Sequence, residues 1–302
     1  MTLLTYPLRV KAALEEWTMA ETSTSSFTMG PAPVALQLYT IREVLAIDFE
    51  GSIRRIAQIG YAGVEVGFPG TTDKSAIQLY RDLRLDVPSA HVALPLGDAK
   101  NEVLDTMSML GCSRIVAGIN SENCKTVDLI KAACGRFNEA NAVALENRLT
   151  LHIHNHWWEY LKLESRSVQR IMMDYLAPEV CFEVDTYWAA TAGADPVSAV
   201  RELGPRAPLL HIKDGPCMDG PMIAGESQAF DDHDRIIRTW WEQSAGMTAV
   251  GEGVLDFHAI VKAGSSNTEW LIVELDKCPT DMIEAVEKSY RFLIRERLGR
   301  GN

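Results

Sequence analysis

A single (β/α)8 barrel is the fold class this chain predicts, and three observations predict it. Short apolar runs rich in Val, Ile and Leu recur along the sequence, each followed by a loop and mostly by a helical pattern, as expected of parallel strands buried on both faces. Three of them end in metal-binding residue types: Asp185 in CFEVD, His211 in PLLHI and Glu274 in WLIVELD. Such groups are costly at the end of a buried strand unless they face a common site. A barrel carries all its C-terminal strand ends to one mouth. Length agrees: the chain has 302 residues, and a barrel with its outer helices takes roughly 250.

The elements can be justified in order. Eight strands are expected at 34–39 (VALQLY), 63–67 (GVEVG), 87–94 (VPSAHVAL), 114–119 (RIVAGI), 149–156 (LTLHIHNH), 180–185 (VCFEVD), 208–214 (PLLHIKD) and 270–276 (WLIVELD). Alternation of strand and helix patterns implies a parallel sheet. Asp48 is a good N-cap for a helix with Ile53, Ile56, Ala57 and Ile59 on one face and Gly60 at its end. Ser121 is the N-cap candidate for the long helical stretch before strand five, and DMIEAVEKSYRFLIRERLG closes the chain as an amphipathic helix. No GxGxxG follows the first strand, which argues against a dinucleotide fold. The domain division expected is a tail and linker at 1–33 and a catalytic barrel at 34–302. ETSTSSFTMGPAP reads as a linker, and the helical segment before it is either a frayed terminus or an arm against a second subunit. Between strands seven and eight lie about 55 residues, more than a crossover needs. This extended loop, 215–254, is expected to cover the mouth, with Trp240 and Trp241 as anchors or as core of a small extra helix.

Composition excludes several functions. A net charge of -12 opposes a nucleic-acid partner and weakens the case for a highly phosphorylated ligand. No apolar run approaches the roughly 20 residues a membrane span needs. Six cysteines (Cys112, Cys124, Cys134, Cys181, Cys217, Cys278) form no CxxC pair, which suits reduced thiols and a cytoplasmic protein. A homo-oligomer is the expected assembly.

The polar residues cluster by strand. His152, His154 and His156 alternate and share one face if strand five stays regular. His152, the deepest, reads as a satisfied core histidine; His154 and His156, followed by Glu159, read as functional. Glu183 and Asp185 share a face, and so do His211 and Lys213, and Glu274 and Asp276. Paired carboxylates repel unless a cation or donors separate them. Lys213 either polarises a substrate oxygen or pairs with Asp214 at the surface. Weaker signals are Glu65 on strand two, His91 on strand three and Glu252 in GEGVLDF.

HIHNHWWEY, CFEVDTYW followed by AGADP, LLHIKDG, GEGVLDF and IVELD resemble the xylose isomerase-like barrel superfamily of sugar phosphate isomerases/epimerases. The likeness covers about residues 34–295. It implies one divalent metal ion, Mn²⁺ first and Mg²⁺, Co²⁺ or Zn²⁺ as alternatives, on Asp185, His211, Glu274 and either His154 or Glu159. It further implies proton abstraction alpha to the carbonyl of a small non-phosphorylated sugar or cyclitol. Glu274, with His156 and Glu183 as competitors, is expected to do the acid–base work. His91, Lys213, Glu65, Glu252 and Trp188 are expected to meet the substrate. The sequence departs from ketose 3-epimerases in two places: the strand-five acid is His154, and the His expected three residues after Asp185 is Trp188. Unlike partners suit a lyase or dehydratase eliminating a β-substituent from a keto-sugar, keto-glycoside or inosose. A metal-dependent phosphodiesterase or nuclease, or a non-catalytic sugar binder, is the third class.

Overall fold

Strand β1 (Ala32–Gln37) runs parallel to β2 (Gly63–Glu65) on one side and to β8 (Trp270–Val273) on the other, with Ala35 opposite both Gly63 and Ile272. From β8 the parallel order continues through β7 (Leu209–Ile212), β6 (Cys181–Asp185), β5 (Thr150–His154) and β4 (Arg114–Gly118) to β3 (Ala90–His91). Parallel bridges Gly63↔Asp86 and Val66↔Ala90 join β2 to β3 and complete the ring. The protein is therefore a (β/α)8 barrel. This computed structural model describes residues 30–216 and 245–302. The expectations for the tail at 1–29, and for Trp240 and Trp241 in the loop after β7, lie outside the described residues.

Helices α1 (Arg42–Ile47), α2 (Phe49–Ile59), α3 (Lys74–Asp82), α4 (Ala99–Leu110), α5 (Val127–Glu146), α6 (Val168–Tyr175), α7 (Thr186–Thr191), α8 (Pro196–Leu203), α9 (Phe257–Gly264) and α10 (Met282–Arg295) follow the strands. Local chemistry sets their ends. The Asp48 carboxylate accepts the Gly51 amide at 2.9 Å, and Gly60 closes α2 at φ +114°, a conformation that favours glycine. Asp195 accepts two amides ahead of Pro196, and Asp281 caps α10 through Glu284 N. The long helix starts later than Ser121 suggests. Residues Ser121–Cys124 form a single 3-10 turn, and Thr126 caps α5 by accepting Leu129 N at 3.2 Å. No described helix is long and apolar enough to cross a membrane.

Two apolar zones carry the barrel. A large one lies between strands and helices, and a small one of Ala35, Val116, Leu209 and Ile272 fills the lower interior. Above it, side-chain alternation lines the interior with polar groups: Gln37, Glu65, His154, Glu183, His211 and Glu274 are all buried. A parallel-stranded barrel keeps this energetically costly chemistry at its C-terminal end.

Asp214 shapes the wall of the mouth. Its Oδ1 accepts Gly215 N at 2.9 Å and Leu255 N at 3.3 Å, and its Oδ2 accepts Gly251 N and Gly253 N at 2.9 Å. An antiparallel bridge to Thr248 adds to this clamp. The carboxylate thus ties the chain leaving β7 to the chain returning towards α9.

Candidate metal centre and active site

Strand register brings the polar residues together. His154 lies opposite Glu183, and Asp185 opposite His211. The strands end there, so alternate residues project into the mouth with no further strand above them. Two sets of four side chains each bring one ligand atom within 4.8 Å of the others: His154, Asp185, His211 and Glu274, and His91, His154, Glu183 and His211. Both sets mix imidazole nitrogen with carboxylate oxygen, a donor chemistry suited to a divalent transition ion. The first set therefore fits the ion that the strand-end pattern implies.

His211 is the hub. Its Nδ1 is 2.9 Å from Glu274 Oε2, and its Nε2 is 2.8 Å from Glu65 Oε2 and 3.0 Å from Glu183 Oε2. Burial opposes a charge on this ring, but Glu183, Glu65 and Glu274 outweigh burial and push its pKa well up. His91 behaves alike: burial lowers it, and Glu65 and Glu183 raise it to about 10. His154 goes the other way. Burial, then the neighbouring rings and Lys213, hold its imidazole well below the ordinary value, so it is a neutral donor. Burial and then Glu65 push Glu183 up. In Glu274 burial is outweighed by Lys213 and His211, which hold the carboxyl well below the usual range. A carboxylate so stabilised is a good ligand and a weak base.

Lys213 is fully buried, and its ammonium does not pair with Asp214. It lies 2.7 Å from Glu274 Oε2, 2.9 Å from Asp276 Oδ2 and 3.1 Å from Asp185 Oδ2, and 5.3 Å from the centre of the Trp188 ring. Burial disfavours the charge, but the three carboxylates raise the ammonium pKa well above its ordinary value.

The other sequence-selected residues fall in distinct places. His156 lies beyond the end of β5, stacked on Trp158 at 4.1 Å between ring centres, with Glu159 Oε1 3.9 Å from its Nδ1. Glu159 Oε2 accepts the His156 amide, so this carboxylate is held locally and stands apart from both four-residue sets. Glu252 is exposed and pairs with Lys288 at 3.4 Å, away from the cluster. His152 is buried beneath it, with Nε2 2.9 Å from Thr150 Oγ1, and burial, then Arg114, lowers its pKa to about 3. His91, His154, His156, Lys213, Glu274 and Asp276 line a cavity of about 280 Å³, walled by Tyr39 and Trp188 and opened by Gly118. A larger cavity of about 600 Å³, between the hairpin at Lys162–Ser167 and α8, includes none of these groups.

Some contributors carry little sequence signal. Gln37 Nε2 donates to Glu65 Oε2 at 2.8 Å, and the Ser89 hydroxyl donates to its Oε1. Asn155 braces Asp185 from both sides: its Oδ1 accepts Asp185 N at 2.9 Å and its Nδ2 donates to Asp185 O at 3.1 Å. Only strand parity relative to Glu65 could have singled out Gln37.

No family profile and no curated protein sequence matches this chain. Solved structures match it along most of its length. A sugar phosphate isomerase/epimerase from Parabacteroides distasonis has a TM-score of 0.66 at 23% identity, covering 92% of this chain and 98% of that one. A probable 3-DHS dehydratase of petrobactin synthesis from Bacillus anthracis has a TM-score of 0.65 at 12% identity, covering 87% and 98%. An L-ribulose 3-epimerase has a TM-score of 0.60 at 15% identity, covering 88% and 94%. By fold, then, the chain shares the (β/α)8 barrel of these proteins. At these identities the likeness is one of fold.

Proposed function

We propose that this protein is a divalent-metal-dependent enzyme of the sugar isomerase/epimerase type, removing a proton alpha to the carbonyl of a non-phosphorylated sugar or cyclitol. The observation that carries this reading is the convergence of His154, Asp185, His211 and Glu274 beside the buried Lys213 at one cavity. Asp185, His211, Glu274 and His154 would hold one ion. Once bound, that ion supplies Lewis-acid stabilisation of the negative charge that develops on the carbonyl oxygen.

The chain's own residues supply the rest. His156 lines the cavity, is clamped against Trp158, and has Glu159 behind its Nδ1; it is the proton acceptor in this reading. Glu183 is fully buried against His91 and does not line the cavity. Its role is to orient His91 and His211. Glu274, with its depressed proton affinity, serves as a ligand. Lys213 donates hydrogen bonds to substrate oxygen while holding its three carboxylates in place. Among the described residues Lys213 is the only Lys lining the cavity, and its ammonium is already matched by three carboxylates, so it is not a free anchor for a phosphate. A neutral polyol suits the cavity better.

A second reading, β-elimination from a keto-sugar, keto-glycoside or inosose, shares this first step. It is favoured by the unlike character of the groups at the cavity, imidazoles at His154 and His156 facing carboxylates at Glu274 and Asp276. Turnover of ketoses, inososes and 3-keto-glycosides by the Mn²⁺-loaded protein in D₂O, followed by NMR, tests both. Deuterium at the alpha carbon supports the isomerase, and an enone supports the lyase. Turnover with the alpha C–H fully retained refutes proton abstraction. His156→Ala should slow exchange by roughly 100-fold or more without changing the bound metal.

A further inference from the structure

We propose that Glu159 is the positioning residue for His156: its free carboxylate oxygen takes a hydrogen bond from His156 Nδ1–H, which leaves His156 Nε2 bare towards the cavity. The proposal rests on the reading of His156 as the proton acceptor. Two orphaned atoms motivate it. His156 Nδ1 and Glu159 Oε1 are both buried, and among the described residues neither has a hydrogen-bond partner. They lie 3.9 Å apart, about 1 Å beyond a normal N–H···O bond.

The surroundings restrict both groups. Glu159 is 1% exposed, and its Oε2 already accepts the His156 amide at 2.8 Å, which limits where Oε1 can point. The imidazole stacks on Trp158 with 12° between the planes, and Trp158 is itself held by its Nε1, which donates to Ile119 O at 2.9 Å. At its Cε1 edge the ring lies against Gly118, where an added methyl group would stand 3.2 Å away. This packing resists tilting of the ring but allows a small turn in its own plane, the motion that closes the gap to a bond. Catalytic hydrogen bonds are often long before substrate binds and tighten in the complex. The side chain is 29% exposed while Nδ1 is buried, so the open edge of the ring carries Nε2.

Proton inventory selects one arrangement. An ionised carboxylate only accepts hydrogen bonds, and a neutral imidazole carries one N–H and one bare nitrogen. A proton on Nε2 would set the Nδ1 lone pair against the Glu159 oxygen and leave two buried acceptors unmet, which is costly. A proton on Nδ1 satisfies both atoms at once, and the bond made by one ring nitrogen decides the state of the other. In the abstraction step the Nε2 lone pair then forms the new N–H bond, the C–H electron pair passes into the enolate, and the Nδ1 proton stays on the ring. Glu159 does not line the cavity and acts only through His156.

The test is the long-range ¹H–¹⁵N spectrum of the full chain, loaded with diamagnetic Zn²⁺ and labelled with ¹⁵N in its histidine rings, with His156→Ala identifying the His156 signals. Neutral His156 should carry its proton on Nδ1. In Glu159→Gln the side-chain carbonyl keeps the His156 amide and the NH₂ group faces Nδ1, so the proton should move to Nε2. Wild-type His156 protonated on Nε2 in its neutral form overturns the proposal, and so does the same tautomer in both proteins; the first result needs no variant to fold. Turnover is a second readout, one that a merely structural carboxylate would not move. On the ketose, inosose or 3-keto-glycoside that reacts, Glu159→Gln should lower kcat roughly 100-fold or more while KM hardly changes, and an equal kcat overturns the proposal. The tautomer is read without substrate, so it stands or falls apart from the reading of His156 as base, which His156→Ala tests.

Discussion

Replacing Lys213 with Met keeps most of the side-chain volume and deletes its charge. The ammonium is 2.7, 2.9 and 3.1 Å from three carboxylate oxygens. At an effective dielectric of about 20, each such contact has a gross attraction of roughly 5–6 kcal/mol, most of it spent on desolvation. Deleting one partner of a buried ion pair costs about 3–5 kcal/mol, because the remaining charges stay buried and uncompensated. The metal-free variant should therefore lose about 3–5 kcal/mol in urea unfolding, with an unchanged slope on denaturant. A divalent ion supplies the missing positive charge, so saturating Mn²⁺ should return about 3 kcal/mol or more at a hundredfold excess over Kd. Mn²⁺ affinity itself, read by calorimetry, should rise by about tenfold or more, since a competing cation has gone. Metal-free stability within about 0.5 kcal/mol of wild type, or weaker Mn²⁺ binding, would refute the view that Lys213 is the resident counter-ion of the carboxylate ring.

Two further outcomes follow from groups away from the reacting centre. His152 stays neutral in the native state, its pKa held down to about 3, whereas the unfolded chain takes up a proton near 6.5. Its contribution is fully present above about pH 6.5 and is lost as pH falls towards 3, by about 1.4 kcal/mol per unit; His152→Gln should shrink the stability difference between pH 7 and pH 5 by about 2 kcal/mol, and identical acid limbs for the two proteins would contradict this. Asp214→Asn keeps one acceptor oxygen and turns an NH₂ group on the amides that faced the other, at a cost of about 3–5 kcal/mol; urea unfolding reads it, and a loss below about 1 kcal/mol would show that the clamp carries little.

What could be read in the sequence was mostly short-range. Asp48 and Gly60 bracket their helix through contacts three or four residues away, and the pairs Glu183/Asp185, His211/Lys213 and Glu274/Asp276 follow from strand alternation alone. The fold followed because eight such strands leave few arrangements. Long-range choices were not legible. Lys213 could take Asp214 next door or acids on other strands; neighbouring residues on a strand point to opposite faces, so Asp214 turns outward to four amides and Lys213 inward to Asp185, Glu274 and Asp276. Regular alternation predicted three histidines on one face, but β5 ends at His154 and a 3-10 turn follows at Trp158–Tyr160, which swings His156 onto Trp158. Glu159 is captured by the His156 amide, a local bond that competes with any longer reach. Ser121 has the chemistry of a cap, but Thr126 lies closer to where α5 can begin.

The contact between Glu65 and His211 joins residues 146 apart in sequence, and Arg42 reaches the Asp276 carbonyl across 234. A chain emerging from the ribosome carries the second- and third-strand groups long before the seventh and eighth strands exist. An early fragment bears isolated Glu and His side chains that water can solvate, and the concentrated ring of buried charge appears only when the last strand pairs with the first. A cation that needs ligands from strands five to eight would bind only once the barrel has closed.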